Sequence, residues 1–317
     1  MRCRSSQGVL NLAQSNMKTL LSKAACLIIA SAGVHCAKDH QMCSENHSCL
    51  GRTPRVLVTT VPDMRDGSWH HYHAVPAAIA MVQGFTDLSV TVSPDPSALA
   101  TLSPDAFDVL VFPCVCPWQL TDQIQTAISQ FISAGRGFVG IHCAADTANF
   151  AAGGGIDPTW YRENLLGGLY WSGFPSLLTT VHRNDVLHPS TSMPTMNWDN
   201  SAAFEDEMYA FRPLEANRLH LLLTINTPPL FIDPGGDVYS PATYTLPHPS
   251  SICRQNIGQK GGRSWVTALG HVSGLSFEPG DTYALPWFQD HVHGGILWAA
   301  GDSLGDCPDD NPPLSPP

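Results

Sequence analysis

Charge is scarce in this chain, and positive charge is scarcest. Lysine and arginine supply 16 residues against 27 aspartates and glutamates, a formal net charge of −11 over 317 residues. Nucleic acids and anionic membrane surfaces both reward basic patches, so neither is expected as a partner. No block of like charges appears, which excludes an acidic interaction tail. No apolar run reaches the roughly 20 residues needed to span a bilayer. The phosphate-binding fingerprints are missing too. Gly153-Gly154-Gly155 is not followed by Lys-Ser/Thr, and no GxGxxG order follows a strand. Zinc-protease HExxH spacing and internal repeats are also lacking. What remains is apolar: 43% hydrophobic against 14% charged. That composition rules out disorder and suits one large core in a single α/β domain.

The N-terminus reads as a targeting segment. Arg2, Arg4, Lys18 and Lys23 precede a short apolar run from Ala24 to Ala32, and Ala30-Ser31-Ala32 supplies the small residues of a cleavage site. Residues 1–32 are therefore expected to be a signal peptide, with Met17 an alternative start, and the mature protein to be secreted. A buried N-terminal helix is the competing reading. Removing the leader leaves eight of ten cysteines, an even number that suits disulfides in an oxidising compartment. Cys36, Cys43 and Cys49 mark residues 33–54 as a cysteine-rich extension, and with Cys253 and Cys307 they are the expected staples. Asn46-His47-Ser48 is a glycosylation sequon.

Strands are expected at residues 55–61, an apolar run rich in β-branched residues, and at 88–92, 109–112 and 137–141, the last of them buried. Between the last two, residues 121–134 carry Leu120, Ile124, Ala127, Ile128, Phe131 and Ile132 on one helical face, with Thr121 as cap and Gly135 as stop. Strand–helix alternation at these spacings predicts a parallel sheet with helices on both faces. Further strands are expected at 178–181, 220–224 and 265–269 and a last helix at 288–300. Proline- and glycine-rich loops lie between them, notably over 228–262. Residues 303–317 read as a flexible tail. In such sheets ligands sit beyond the carboxyl ends of the strands. His70 and His71, then His142, Cys143 and Asp146, then His271 fall there.

The run Gly137-Phe138-Val139-Gly140-Ile141-His142-Cys143-Ala144-Ala145-Asp146-Thr147 resembles the signature segment of the ThuA-like (trehalose utilisation) family. Further matches follow in order: Leu165-Leu166-Gly167-Gly168, His188-Pro189, Trp198, Asp206-Glu207-Met208-Tyr209 with Phe211, Gly261-Gly262-Arg263, Leu269-Gly270-His271, and His291 with residues 294–301. The resemblance covers residues 55–302. It implies a flavodoxin-like three-layer sandwich with a mainly parallel sheet, of the class I glutamine amidotransferase type. It also implies a link to trehalose and keto-sugar metabolism. Those amidotransferases carry a cysteine nucleophile at the turn where His142 stands here, so amidotransferase activity is not implied. The chain departs from the family pattern in its exported N-terminus and at Trp69-His70-His71.

The expected catalytic set is His142 and His271, as acid/base groups, with Asp146 and Glu207 orienting them or the sugar. His142, His271 and His71 could instead hold a divalent metal such as zinc, or simply hydrogen-bond loop carbonyls. His70, His71, Trp160, Tyr170, Trp171 and Tyr209 are the expected contacts to a small saccharide, the aromatics competing with plain core packing. The leading expectation is an enzyme acting on a small saccharide or its keto derivative. A non-catalytic extracellular carbohydrate-binding protein is the second, and a cysteine-dependent amidase built on Cys143 the third. Cys114 and Cys116 read as a redox pair, as partners of other cysteines, or as buried thiols.

Overall fold

Short runs of aliphatic and β-branched residues form the centre of the molecule: Arg55–Thr59 (β1), Ser89–Ser93 (β2), Val109–Pro113 (β3) and Gly137–Ile141 (β4). The computed structural model describes residues 50–60, 73–117, 120–146, 159–166, 170–185, 187–192, 195, 201–211, 220–225, 231–232, 238–239, 248–271, 282–303, 305 and 307. The proposed leader, the sequon at Asn46, His70 and His71 lie outside them, as do residues 308–317 of the tail. β3 and β4 are buried at every position, as expected for strands covered on both faces.

The remaining strands are Tyr170–Arg183 (β5), Ser201–Phe211 (β6), His220–Ile225 (β7), the two-residue pair Phe231–Ile232 (β8) and Val238–Tyr239 (β9), His248–Ile257 (β10) and Gly262–Thr267 (β11). One nine-stranded sheet runs β2-β1-β3-β4-β11-β10-β7-β5-β6. Its first five strands are parallel, and β10, β7, β5 and β6 then add on antiparallel. The parallel sheet read from the sequence is thus the first part of the sheet. β6 and β10 had no expected counterpart, and the whole of β10 runs through a stretch expected to be loop. Its residues Ser250, Ser251 and Arg254 are polar yet buried, so hydropathy alternation cannot reveal it.

Helices cover both faces. Val75–Gln83 (α1), Pro96–Ala100 (α2), Asp122–Ser133 (α3) and Pro286–Ala300 (α4) are the main ones. α3 starts where expected, Thr121 accepting from the Ile124 amide at 3.3 Å. Two close approaches fix the layers. A Cβ on Gly137 would lie 2.2 Å from the Ala299 carbonyl of α4, and one on Gly262 would lie 2.2 Å from the Ile132 carbonyl of α3. Gly137 pairs with Arg263, the neighbour of Gly262, so the two glycines face opposite sides of the sheet. α3 and α4 therefore sandwich it, giving three layers.

Buried polar groups lock this frame. Asp108, ahead of β3, gathers Arg52, Arg55 and Arg136 at 2.6–3.2 Å. Burial alone would raise its carboxyl, but the Arg52 and Arg55 guanidiniums hold it well below the usual carboxylate range. On α4, His291 Nδ1 donates to the Ser190 carbonyl (2.6 Å) and Nε2 meets Ser251 Oγ (2.9 Å). Trp265 of β11 donates to Ser190 Oγ at 3.0 Å, and His188 Nδ1 meets the same hydroxyl at 2.8 Å. Disulfides join Cys253 of β10 to Cys307 and Cys116, after β3, to Cys143, after β4. The first is a pairing among the expected staples. The second settles the reading of Cys116 and removes Cys143 as a nucleophile, since a disulfide sulfur carries no thiolate. Cys114 is buried. Among the described residues, no helix is long and apolar enough to cross a membrane.

Candidate functional site

At the end of β4 the chain turns sharply. His142 opens a four-residue 3₁₀ turn, His142–Ala145, with φ of 48°. A non-glycine residue in the left-handed region costs on the order of 1 kcal/mol and persists only where the surroundings impose it. Here they do. His142 Nδ1 lies 2.8 Å from the Ala268 carbonyl, just past the end of the neighbouring parallel strand β11, and the next residue is tied by the Cys116–Cys143 disulfide. A carbonyl only accepts, so Nδ1 carries a hydrogen and Nε2 is the working nitrogen.

Nε2 points at β6. It lies 2.9 Å from Glu207 Oε2 and 3.1 Å from the Tyr209 hydroxyl. β6 sits at the far edge of the sheet, so its presence here needs explaining. β5 pairs with β7 only through Val181–Arg183, while the β5–β6 hairpin continues to Tyr170 and Phe211. The overhanging part brings Asp206, Glu207 and Tyr209 to the ends of β4 and β11. His271, just past β11, completes the group: its Nε2 is 3.5 Å from Glu207 Oε2, and its ring centroid is 5.2 Å from that of His142. His142 is fully buried, whereas the Glu207 and His271 side chains are 21% and 19% exposed. The group therefore opens to solvent through its second histidine and its carboxylate.

Asp206 holds the assembly in place. Its carboxylate accepts from the amides of Gly270 (2.8 Å), His271 (2.8 Å) and Glu207 (2.9 Å) and from the Thr282 hydroxyl (3.0 Å). Burial pushes its carboxyl up to about 8. All four neighbours are donors, however, and a protonated Asp206 would aim its own hydrogen at one of them. The cage suits the anion. Through it the hairpin is fastened to the segment carrying His271.

The structure thus brings together His142, His271, Glu207 and Tyr209. Asp146 is grouped elsewhere: its carboxylate lies within 4.8 Å of the Cys116 and Cys143 sulfurs. Trp160 packs half-buried against the core, and Tyr161 beside it donates to the Ala144 carbonyl at 2.7 Å. Tyr170 and Trp171 open β5, and their side chains lie outside the described residues. Asp206, read from its place beside Glu207 as an acceptor for sugar hydroxyls or a support for a histidine, here accepts from the backbone amide of His271. Next to the group lies a cavity lined by Ala145, Leu166, Ser250, Val266 and Ala268 among others, of about 10 Å³. That holds about one water, not a sugar.

A family model described as ThuA, trehalose utilisation, matches residues 55–299. A ThuA-like protein from Bacteroides uniformis ATCC 8492 superposes with a TM-score of 0.56 at 17% identity, over 78% of this chain and 91% of that one. A ThuA-like protein from Parabacteroides merdae ATCC 43184 does so with a TM-score of 0.56 at 14% identity, over 83% and 95%. At these identities the likeness is one of fold, the glutamine amidotransferase-like sandwich. No match to a curated protein was found.

Proposed function

The chain belongs to the ThuA family, and from that premise we propose that it is an exported enzyme acting on a small saccharide or keto-sugar related to trehalose, through His142, Glu207 and His271. The observation that carries the reading is the convergence of His142 Nε2, Glu207 Oε2 and His271 Nε2, all within 4.8 Å, at the carboxyl ends of two parallel strands. Nδ1 of His142 is committed to Ala268, so the proton exchanged with a substrate is the one at Nε2. Glu207 is partly exposed and placed to accept that proton or to hold a sugar hydroxyl. Tyr209 adds a hydroxyl donor on the same side. The apolar run ending at Ala30-Ser31-Ala32 supports export.

The test is mass-spectrometric turnover of a disaccharide panel, trehalose and its 3-keto derivatives included. His142→Ala and Glu207→Gln are each expected to lower turnover on the order of 10²- to 10⁴-fold, the usual contribution of a general acid or base. Unchanged turnover in His142→Ala would remove it from the reaction. Binding without product, from folded protein, would make the chain a carbohydrate-binding protein instead.

A further inference from the structure

We infer that the same three atoms form a binding site for a single transition-type divalent cation, with zinc as the fitting class. This rests on the reading above and deepens it: the working centre is the same, with the cation taking the place of the proton at His142 Nε2.

His142 Nδ1–H is given to a backbone carbonyl, so the neutral ring presents a lone pair at Nε2, and that lone pair faces a carboxylate oxygen 2.9 Å away. Two acceptors at that distance need a positive charge between or beside them, supplied by a proton or by a metal. His271 adds the third donor of a metal site. Its Nε2 converges on the same oxygen from a second side, at 3.5 Å. Ligands about 2.1 Å from one ion stand roughly 3.0 Å apart at octahedral angles and roughly 3.4 Å apart at tetrahedral ones. The observed 2.9 and 3.5 Å bracket that range.

The surroundings are those of a metal site. A metal-ligating imidazole characteristically donates its other N–H to a carbonyl or carboxylate, as His142 does to Ala268. His271 is oriented by the backbone hydrogen bond from its amide to Asp206. Two imidazoles and one carboxylate, with an exposed side, are the donor set of catalytic zinc and related ions rather than of magnesium or calcium, which take oxygen. A cation there would supply Lewis acidity toward a sugar carbonyl or hydroxyl.

The experiment reads binding, not activity. The full chain, oxidised and stripped with a chelator, is titrated with Zn²⁺ by calorimetry, and with Co²⁺ by visible absorption. One cation per chain is expected at this centre. Glu207→Gln, nearly isosteric, and His271→Asn should each weaken it on the order of 100-fold and abolish the Co²⁺ ligand-field bands. His293→Asn, at the distant Asp87 pair, should leave both unchanged. Equal Zn²⁺ affinity and an unaltered Co²⁺ spectrum in Glu207→Gln and His271→Asn would overturn the inference, as would absence of binding by the wild type. Turnover without metal binding sinks this inference alone. Metal binding without turnover on the panel sinks the proposed activity alone.

Discussion

Lowering the pH from 7 to 4 will remove about 3 kcal/mol of folding stability through His291 alone, and a similar amount through His188. Both rings are fully buried. Burial lowers His291 to about 4, against the opposing hydrogen bond to the Ser190 carbonyl, and burial lowers His188 to about 3. In the unfolded chain each titrates near 6.5. Between 6.5 and about 4 the unfolded state therefore takes up protons that the native state refuses. The stability is complete above pH 6.5 and is lost as the pH falls through that window. Losses of this size rival the whole stability of an ordinary domain. Urea unfolding at half-unit pH steps measures the slope. His291→Gln should be less stable at pH 7 but show a distinctly shallower fall toward pH 4. Parallel curves for wild type and variant would contradict the assignment.

Replacing Cys116 and Cys143 together by serine will cost about 3.5 kcal/mol, from the loop-closure entropy of a 27-residue span. The corresponding Cys253/Cys307 double variant, closing 54 residues, will cost about 4 kcal/mol. The two differ at the site. The first crosslink ends on the residue after His142 and helps hold its left-handed backbone, whereas Cys253 lies on β10 and pairs with the C-terminal segment. Only the Cys116/Cys143 variant should therefore also lose turnover on the sugar panel. Both cysteines are replaced at once because Cys114, two residues away, could otherwise pair with a stranded Cys143. Comparable stability loss with full turnover would show that Ala268 and Glu207 hold His142 without the crosslink.

The parallel half of the fold was legible because β3 and β4 are continuous apolar runs and α3 carries an amphipathic stripe between a threonine cap and a glycine stop. The antiparallel half was not, for a physical reason. β6 carries Glu205, Asp206 and Glu207, and β10 carries Ser250, Ser251 and Arg254. Asp206 and Ser251 are buried because partners far along the chain, Gly270, His271, Thr282, Thr267 and His291, satisfy them. Hydropathy patterns carry no record of a partner 64 residues away. The site shows the same limit. Strand-end logic located His142 and His271, and family motifs located Glu207 and Tyr209. That Glu207 meets both histidines, while Asp146 sits with the Cys116–Cys143 pair, depends on the overhang of the β5–β6 hairpin, which no local signal encodes.

On the proposed function, His142, Glu207 and His271 form the place where a small saccharide is handled. Histidine ring signals in ¹H–¹³C spectra, assigned by single substitution, test it directly during titration with trehalose and its 3-keto derivatives. Saturable shifts are expected at His142 and His271 with one of these sugars, abolished in Glu207→Gln, while His188, His291 and His293 stay in place. Saturable shifts confined to other histidines would put the sugar elsewhere and contradict it.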